Sequence, residues 1–241
     1  MIVFNGKEAS ELGLNVVPFT LRRLPQKNHT FVNILGSEEP IIVKSGGAVP
    51  VQIDIEADLT DKSRFDEVNA WLTGRGLLVD DEEPDKYRIA EVLDGTTLTS
   101  VNDDITTLTW AFMCSAYMYA VNPTVVDISD ATVYKQLDYK GTVEGAPKIR
   151  FKSNSHDPIT FTVNGVNFVV TLPDVCVTYV LPVVIDTEHQ IMYYEWLEER
   201  HAITQYSSGD FPLLHADGTA NYIKFSGSVV EATINLNERW Y

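Results

Sequence analysis

The sequence predicts a mainly β protein built from β-sandwich domains, and three observations carry this prediction. Apolar and polar residues alternate strictly in several segments, which is typical of strands with one buried face. A short apolar stripe at helical spacing is followed at once by a hairpin pattern. In the second half, apolar runs recur about every 8 to 12 residues between turn residues, the spacing of a sandwich.

The first strands are predicted at residues 2–4 and 14–17. They form a hairpin or a pair of strands, with Asn5-Gly6 as the turn that follows the first strand. A further strand starts after Pro50, where Val51, Ile53 and Ile55 alternate with polar residues. Another is expected around Trp110, which alternates in the same way. These strands form the predicted N-terminal sheet.

One helix of about three turns is predicted to flank this sheet. Its apolar stripe consists of Phe65, Val68, Trp71 and Leu72. Thr60, Asp61 and Ser63 offer oxygens to the open N–H groups at its start, and Gly74 suits the left-handed position that ends it. A hairpin follows, with strands at residues 77–79 and 86–92. Its acidic turn, residues 80–85, is expected to be solvated rather than a catalytic carboxylate pair.

Residues 18–37 interrupt the strand pattern with a basic stretch in an acidic protein. They include Arg22, Arg23, Lys27 and His29. A loop of this length inside a domain is often functional or reaches a neighbouring chain, and a solvated excursion is the alternative.

A domain boundary is predicted near Asn122-Pro123, dividing the chain into residues 1–125 and 126–241. In the second domain Asn164-Gly165 predicts a tight hairpin between residues 160–163 and 166–172. Further strands are expected at residues 175–185, 190–194, 222–225 and 229–236. A helical turn is expected around residues 194–201.

The net charge of the 241 residues is −16. Residues 1–125 hold 10 basic and 19 acidic side chains, a charge of −9, and the remaining 8 and 15 give −7. Such an evenly acidic chain disfavours sequence-specific nucleic-acid binding, and indicates either solubility or a surface past which DNA slides. No apolar run approaches the roughly 18 residues that span a bilayer, so membrane insertion is not expected. Without a secretory pattern at the start, synthesis in a cytoplasm is expected.

Residues with catalytic potential form no recognisable site. The five histidines are scattered, and no metal or cofactor is predicted. Cys114 and Cys176 lie in apolar sequence without metal spacing. Trp196 with Tyr193 and Tyr194 forms either a sugar-stacking site or a packed core cluster. By elimination the chain is predicted to have a structural or binding role and not to be an enzyme.

Several sequence segments resemble the distal tail protein (Dit) family of long-tailed, non-contractile (siphovirus-type) bacteriophages. They are residues 2–7 with 12–14, the helix and hairpin of residues 64–87, residues 185–188, and residues 208–214 with 218–227. The block Ser-Gly-Asp-Phe-Pro-Leu-Leu at 208–214 is the most specific. After residues 35–36 the family often has an Arg-Asp-Gly type turn, whereas residues 37–40 here read Ser-Glu-Glu-Pro, so the loop departs from the family pattern at this position.

The resemblance implies a tail-tube-like first domain and a galectin-like second domain. It implies a homo-hexameric ring in the virion tail tip that joins the tail tube protein to the tail-tip hub or tail-associated lysin protein and passes DNA through its channel. Tape measure, receptor-binding and other baseplate proteins are further expected partners. The candidate assembly contacts are Arg22, Arg23, Lys27, Asp81, Glu82 and Glu83.

Two alternatives belong to other classes. A carbohydrate-binding protein that recognises host-surface glycans fits a β-sandwich with exposed aromatic residues. A hydrolase would need an activated constellation of side chains, which the sequence does not display.

Overall fold

The structure is a computed structural model that describes residues 2–18, 27–32, 41–93, 97–100 and 106–241. Side chains are described except at residues 27–32, 41–47 and 97–100. The chain divides into a first unit, which runs to Val121 and includes Tyr241, and a second unit, Asn122–Trp240. In the described ranges no helix has both the length and the apolar character that crossing a membrane requires.

The first unit is an antiparallel β structure with one helix packed on it. Its helix α1 spans Phe65–Trp71. Single turns of 3₁₀ helix occur at Ala9–Leu12 and Lys62–Arg64. Its strands are β1 (Ile2–Phe4), β2 (Lys7–Glu8), β3 (Leu14–Val16), β4 (Lys27–Val32), β5 (Ile41–Ala48), β6 (Val51–Leu59), β7 (Arg75–Asp80), β8 (Lys86–Val92), β9 (Thr97–Ser100), β10 (Thr106–Cys114) and β11 (Met118–Ala120).

The main sheet of this unit follows the order β2-β1-β7-β8-β10-β6-β3, with β9 paired to β10 and β11 to β8. The predicted alternation is confirmed in β6 and β10, where Ile53 and Ile55 are buried and pair with the buried Phe112 and Trp110. Because alternate residues of a strand face opposite sides, one face of the sheet is a core and the other is polar.

The helix α1 covers the apolar side of this sheet, as predicted. Val68 and Leu72 are buried, and the Trp71 ring meets Phe4 of β1 edge-on, with ring centroids 6.0 Å apart. The Trp71 indole Nε1–H also donates to the Phe4 carbonyl oxygen at 3.0 Å. At the start, the Asp61 carboxylate accepts the Ser63 N–H at 2.9 Å. The helix has about two turns rather than three, because the residues before it adopt a 3₁₀ turn.

The basic stretch is not wholly a loop. Within predicted loop residues 18–37, Lys27–Val32 forms β4, which pairs antiparallel with β5. The periodicity did not reveal this strand because Lys27, Asn28, His29 and Thr30 supply few apolar residues. Arg22 and Arg23 lie outside the described residues, as do residues 35–40.

The second unit, described throughout residues 122–240, contains two antiparallel sheets. Its helix α2 spans Asp174–Thr178, and a 3₁₀ turn lies at Thr204–Tyr206. Its strands are β12 (Val125–Asp127), β13 (Lys135–Leu137), β14 (Lys148–Lys152), β15 (Ile159–Val163), β16 (Val166–Val170), β17 (Val183–Asp186), β18 (Ile191–Trp196), β19 (Glu199–Ala202), β20 (Ser207–Gly209), β21 (Asn221–Ser226), β22 (Glu231–Asn235) and β23 (Arg239–Trp240).

A six-stranded sheet, in the order β12-β22-β14-β17-β18-β19, faces a five-stranded sheet, β13-β21-β15-β16-β20, within residues 122–240. Phe151 of the first sheet and Phe161 of the second are fully buried, with ring centroids 5.0 Å apart. They belong to one apolar cluster to which both sheets contribute. This arrangement is a β-sandwich.

Two local predictions in this unit are wrong. Residues 174–178 of the predicted strand 175–185 are helical, because Pro173 starts a turn in which the Cys176 N–H donates to its carbonyl and the Cys176 side chain is buried. The predicted helical turn at residues 194–201 is a hairpin of β18 and β19. Its two turn residues, Leu197 and Glu198, have φ values of 51° and 65°.

Candidate assembly surfaces

The acidic turn between β7 and β8 contains three of the predicted assembly contacts. Asp81 and Glu82 are exposed, whereas Glu83 is buried. Lys27 opens β4 opposite Ala48, and its side chain lies outside the described residues, as do Arg22 and Arg23 entirely. The structure therefore describes side chains only for the acidic candidates.

The turn is more ordered than a solvated loop. The Asp80 carboxylate accepts the Glu83 N–H at 2.8 Å, and Glu83 forms an ion pair with Lys86, the first residue of β8. Asp80 and Glu83 are both buried. The expectation that residues 80–85 are all solvated is therefore wrong for Asp80 and Glu83. The alternation and the charge of the sequence cannot show which residues of a turn fold back onto the sheet.

The cation beneath the turn is Arg88, whose side chain is fully buried. Its guanidinium donates to the carbonyl oxygens of Ser115 and Ala116 at 2.7 and 2.9 Å. Burial lowers the Arg88 pKa, and the negative charges of Glu83 and Asp80 oppose that shift. The buried charges thus hold the turn in one conformation and leave Asp81 and Glu82 at its exposed tip.

A second charged surface follows β6. Asp54, Glu56 and Asp58 lie on its polar face, opposite Ala111, Thr109 and Thr107 of β10. We call these three carboxylates the acidic stripe. The Thr107 hydroxyl donates to Asp58 at 2.8 Å, and Gln52 donates to Asp54 at 2.8 Å.

Within the described residues, no lysine or arginine forms an ion pair with the acidic stripe. Alternate residues of a strand lie about 7 Å apart. Among the described side chains, the stripe is therefore a line of negative charge without a paired cation, on one face of the sheet.

The aromatic residues weighed as either a sugar-stacking site or a packed cluster lie on two faces of β18. Tyr193 is buried, and Tyr194 stacks on His201 at 4.8 Å between ring centroids. Trp196 stacks instead on the exposed Tyr179 at 5.4 Å. Neighbouring residues of a strand point to opposite sides, so the three aromatic side chains do not form a single surface.

A cleft of about 340 Å³ lies elsewhere on the second unit, lined by Tyr134, Asn164, Gly165 and Tyr222. The sequence does not mark this cleft as a site, because the two tyrosines are distant in sequence and meet only when β13 pairs with β21. Of the residues that line the cleft, only Asn164-Gly165 belongs to a pattern that the sequence reveals, the tight hairpin turn.

The described side chains offer little for covalent or metal chemistry. Among them, no three histidine, cysteine, aspartate or glutamate residues lie close enough to hold a metal ion. Cys114 and Cys176 are buried free thiols, and burial raises the pKa of Cys114 to about 12 and that of Cys176 to about 11. Neither is a thiolate at neutral pH.

The fold and these surfaces define a two-unit, mainly β protein whose distinctive groups are surface charges and exposed rings. No protein-family model and no curated protein sequence matches the chain. Among solved structures, the crystal structure of SPP1 Dit (gp 19.1) matches 100% of this chain and 98% of its own, with a TM-score of 0.76 and 13% sequence identity. That protein is described as a paradigm of the hub adsorption apparatus in phages that infect Gram-positive bacteria. The chain therefore has a Dit-like fold, as the resemblance predicted.

Proposed function

We propose that the chain is a structural protein of a phage tail tip, acting as the hub of the adsorption apparatus. The observation that carries this proposal is the fold similarity to SPP1 Dit, which extends over both units rather than one shared module. Because a fold can serve unrelated functions, the surfaces must also suit the role.

In this proposal six copies close into a ring between the tail tube and the baseplate proteins. A ring needs two different complementary patches on each subunit. The exposed tip residues Asp81 and Glu82 supply an acidic patch on a turn held by buried charges. Arg22, Arg23 and Lys27 supply the basic partner on the next subunit, and Glu83 supports the acidic turn from inside.

The acidic stripe of β6 suits the wall of a DNA channel. Phosphate groups are repelled by a line of carboxylates, so a duplex would pass without strong contacts. The residues opposite the stripe on β10, two threonines and Ala111, are uncharged, so these described neighbours do not offset the repulsion. We therefore assign this sheet face to the inside of the ring.

The experiment is a charge exchange measured on the full chain. Arg22→Glu with Arg23→Glu is expected to leave a folded monomer and abolish rings in negative-stain images and in light scattering. Adding Asp81→Arg and Glu82→Arg to that variant is expected to restore rings, because the charges are exchanged across the interface. Lys140→Glu, an exposed charge change in the second unit, is the control and should leave assembly intact.

Two outcomes would contradict the proposed contacts. Rings that survive the arginine changes would show that these residues do not close the interface. Wild-type protein that stays monomeric, both alone and mixed with tail tube protein, would contradict the proposal that the chain forms the hub.

A further inference from the structure

The cleft between Tyr134 and Tyr222 has the dimensions of a small-ligand site. Its volume of about 340 Å³ falls within the range of pockets that hold small molecules. Tyr134 is 56% exposed and Tyr222 is 40% exposed, so both rings remain available. Gly165 adds no side chain to the wall, and an added Cβ there would meet open space.

The cleft is held open by the Asn164 side chain. Its amide nitrogen donates to the Leu213 carbonyl at 3.0 Å and to the Asn221 side chain at 2.7 Å, while its oxygen accepts the Tyr222 N–H at 2.9 Å. The hairpin turn and the strand that carries Tyr222 are therefore joined to each other. A ligand would find this cleft already formed, which reduces the ordering cost of binding.

Polar groups border the aromatic rings. Gln136 lies directly opposite Tyr222 across the β13–β21 pair and is exposed. The Lys224 ammonium lies 4.5 Å from the Tyr134 ring centroid. In the part of the chain that the structure describes, neither Gln136 nor Lys224 donates a side-chain hydrogen bond or joins an ion pair, so both can donate to a ligand.

We propose that this cleft binds a pyranose ring of a saccharide. A pyranose carries C–H bonds on its face, which stack on aromatic rings, and hydroxyl groups at its edge, which accept hydrogen bonds from an amide or ammonium group. The cleft offers both kinds of group: the rings of Tyr134 and Tyr222 line it, and the side chains of Gln136 and Lys224 lie at its border. A purely apolar side chain of a partner protein would leave Gln136 and Lys224 unused. This site is separate from the proposed hub surfaces, so either proposal can fail without the other.

The test uses saturation-transfer NMR on the full-length protein with glucose, galactose, N-acetylglucosamine and glucuronic acid as separate probes. At least one is expected to receive saturation at its ring C–H protons. Tyr222→Ala and Tyr134→Ala should each weaken binding by about tenfold, because each removes a stacking ring. Tyr222→Phe keeps the ring and should retain the signal.

Tyr179→Ala is the matched control, since Tyr179 is another exposed tyrosine of the same unit, stacked on Trp196 outside the cleft. It should leave the signal unchanged. Circular dichroism checks that each variant is folded. The proposal is overturned if none of the four sugars receives saturation or if transfer persists in both alanine variants. It is also overturned if the signal is lost in Trp196→Ala and kept in Tyr222→Ala, which would place sugar binding at Trp196.

Discussion

The Arg88 guanidinium donates to the carbonyl oxygen of Ser115 at 2.7 Å although its side chain has no exposure to solvent. This contact joins β8 to the segment that follows β10, directly beneath the acidic turn. A buried cation of this kind requires carboxylates and carbonyl groups around it, and Asp80, Glu83 and Ala116 provide them.

Replacing Arg88 is expected to destabilise the protein. Arg88→Met leaves the buried carbonyl oxygens of Ser115 and Ala116 without their donor and removes the positive charge near Asp80 and Glu83, at a cost of about 3–5 kcal/mol. Urea unfolding followed by circular dichroism measures the loss. Arg64→Met, which removes a surface cation paired with Glu67, should cost less than about 1 kcal/mol. Equal losses in the two variants would contradict the role given to the buried guanidinium.

Reversing the acidic stripe is expected to create DNA binding. The change Asp54→Lys with Glu56→Lys replaces two exposed carboxylates by ammonium groups that contact phosphates. The variant should retard duplex DNA in a gel at low salt, and the wild type should not. The same exchange at Asp138 and Glu144, exposed carboxylates of the second unit, is the control. If both double variants bind DNA equally, the position of the stripe has no special effect.

Stability should fall at acid pH partly through Asp186. Burial alone would raise the Asp186 pKa, but Lys148 at 2.8 Å and His189 at 3.1 Å hold it below its ordinary value. A carboxylate with a lowered pKa stabilises the folded state above the pKa of the unfolded chain, and that contribution is lost as the pH falls through the folded pKa. Thermal unfolding of wild type and Asp186→Asn between about pH 2 and 7 should show a shallower acid loss in the variant. Parallel profiles would contradict this assignment.

The turn between β18 and β19 is expected to accept a stabilising exchange. Leu197 and Glu198 both have positive φ, which side chains with a Cβ adopt at a cost. Leu197→Asn with Glu198→Gly supplies the pair found at the equivalent turn, Asn164-Gly165, and should stabilise the fold by about 1 kcal/mol. The midpoint of urea unfolding measures the gain. A loss of stability would show that the Leu197 side chain, 82% exposed, contributes contacts to the folded protein.

The two thiols should be unreactive in the native state. Cys114 and Cys176 are buried, with pKa values raised to about 12 and about 11, so little thiolate forms at pH 8. Iodoacetamide should modify neither cysteine over an hour in buffer and both in urea, as read by mass spectrometry. Rapid native labelling of Cys176 would show that α2 opens readily.

Much of the secondary structure could be predicted from local patterns. The alternation in β6, the apolar stripe of α1 and the Asn164-Gly165 turn each follow from a few neighbouring residues, and all three occur as predicted. Local patterns gave a wrong prediction where a short apolar run is compatible with both a strand and a helix. Val175, Cys176 and Val177 read as a strand, yet Pro173 and the burial of Cys176 make them helical.

The sequence by itself determined the β class, the hairpin turns and the acidic charge, because these depend on residue type and short spacing. Only the tertiary structure decided that Glu83 is buried while Asp81 is exposed, and that Tyr134 and Tyr222 share a cleft. Burial and cross-strand neighbours depend on which distant segments pair. No short window of sequence contains that information, because the energy that selects a pairing is the burial of the whole apolar face.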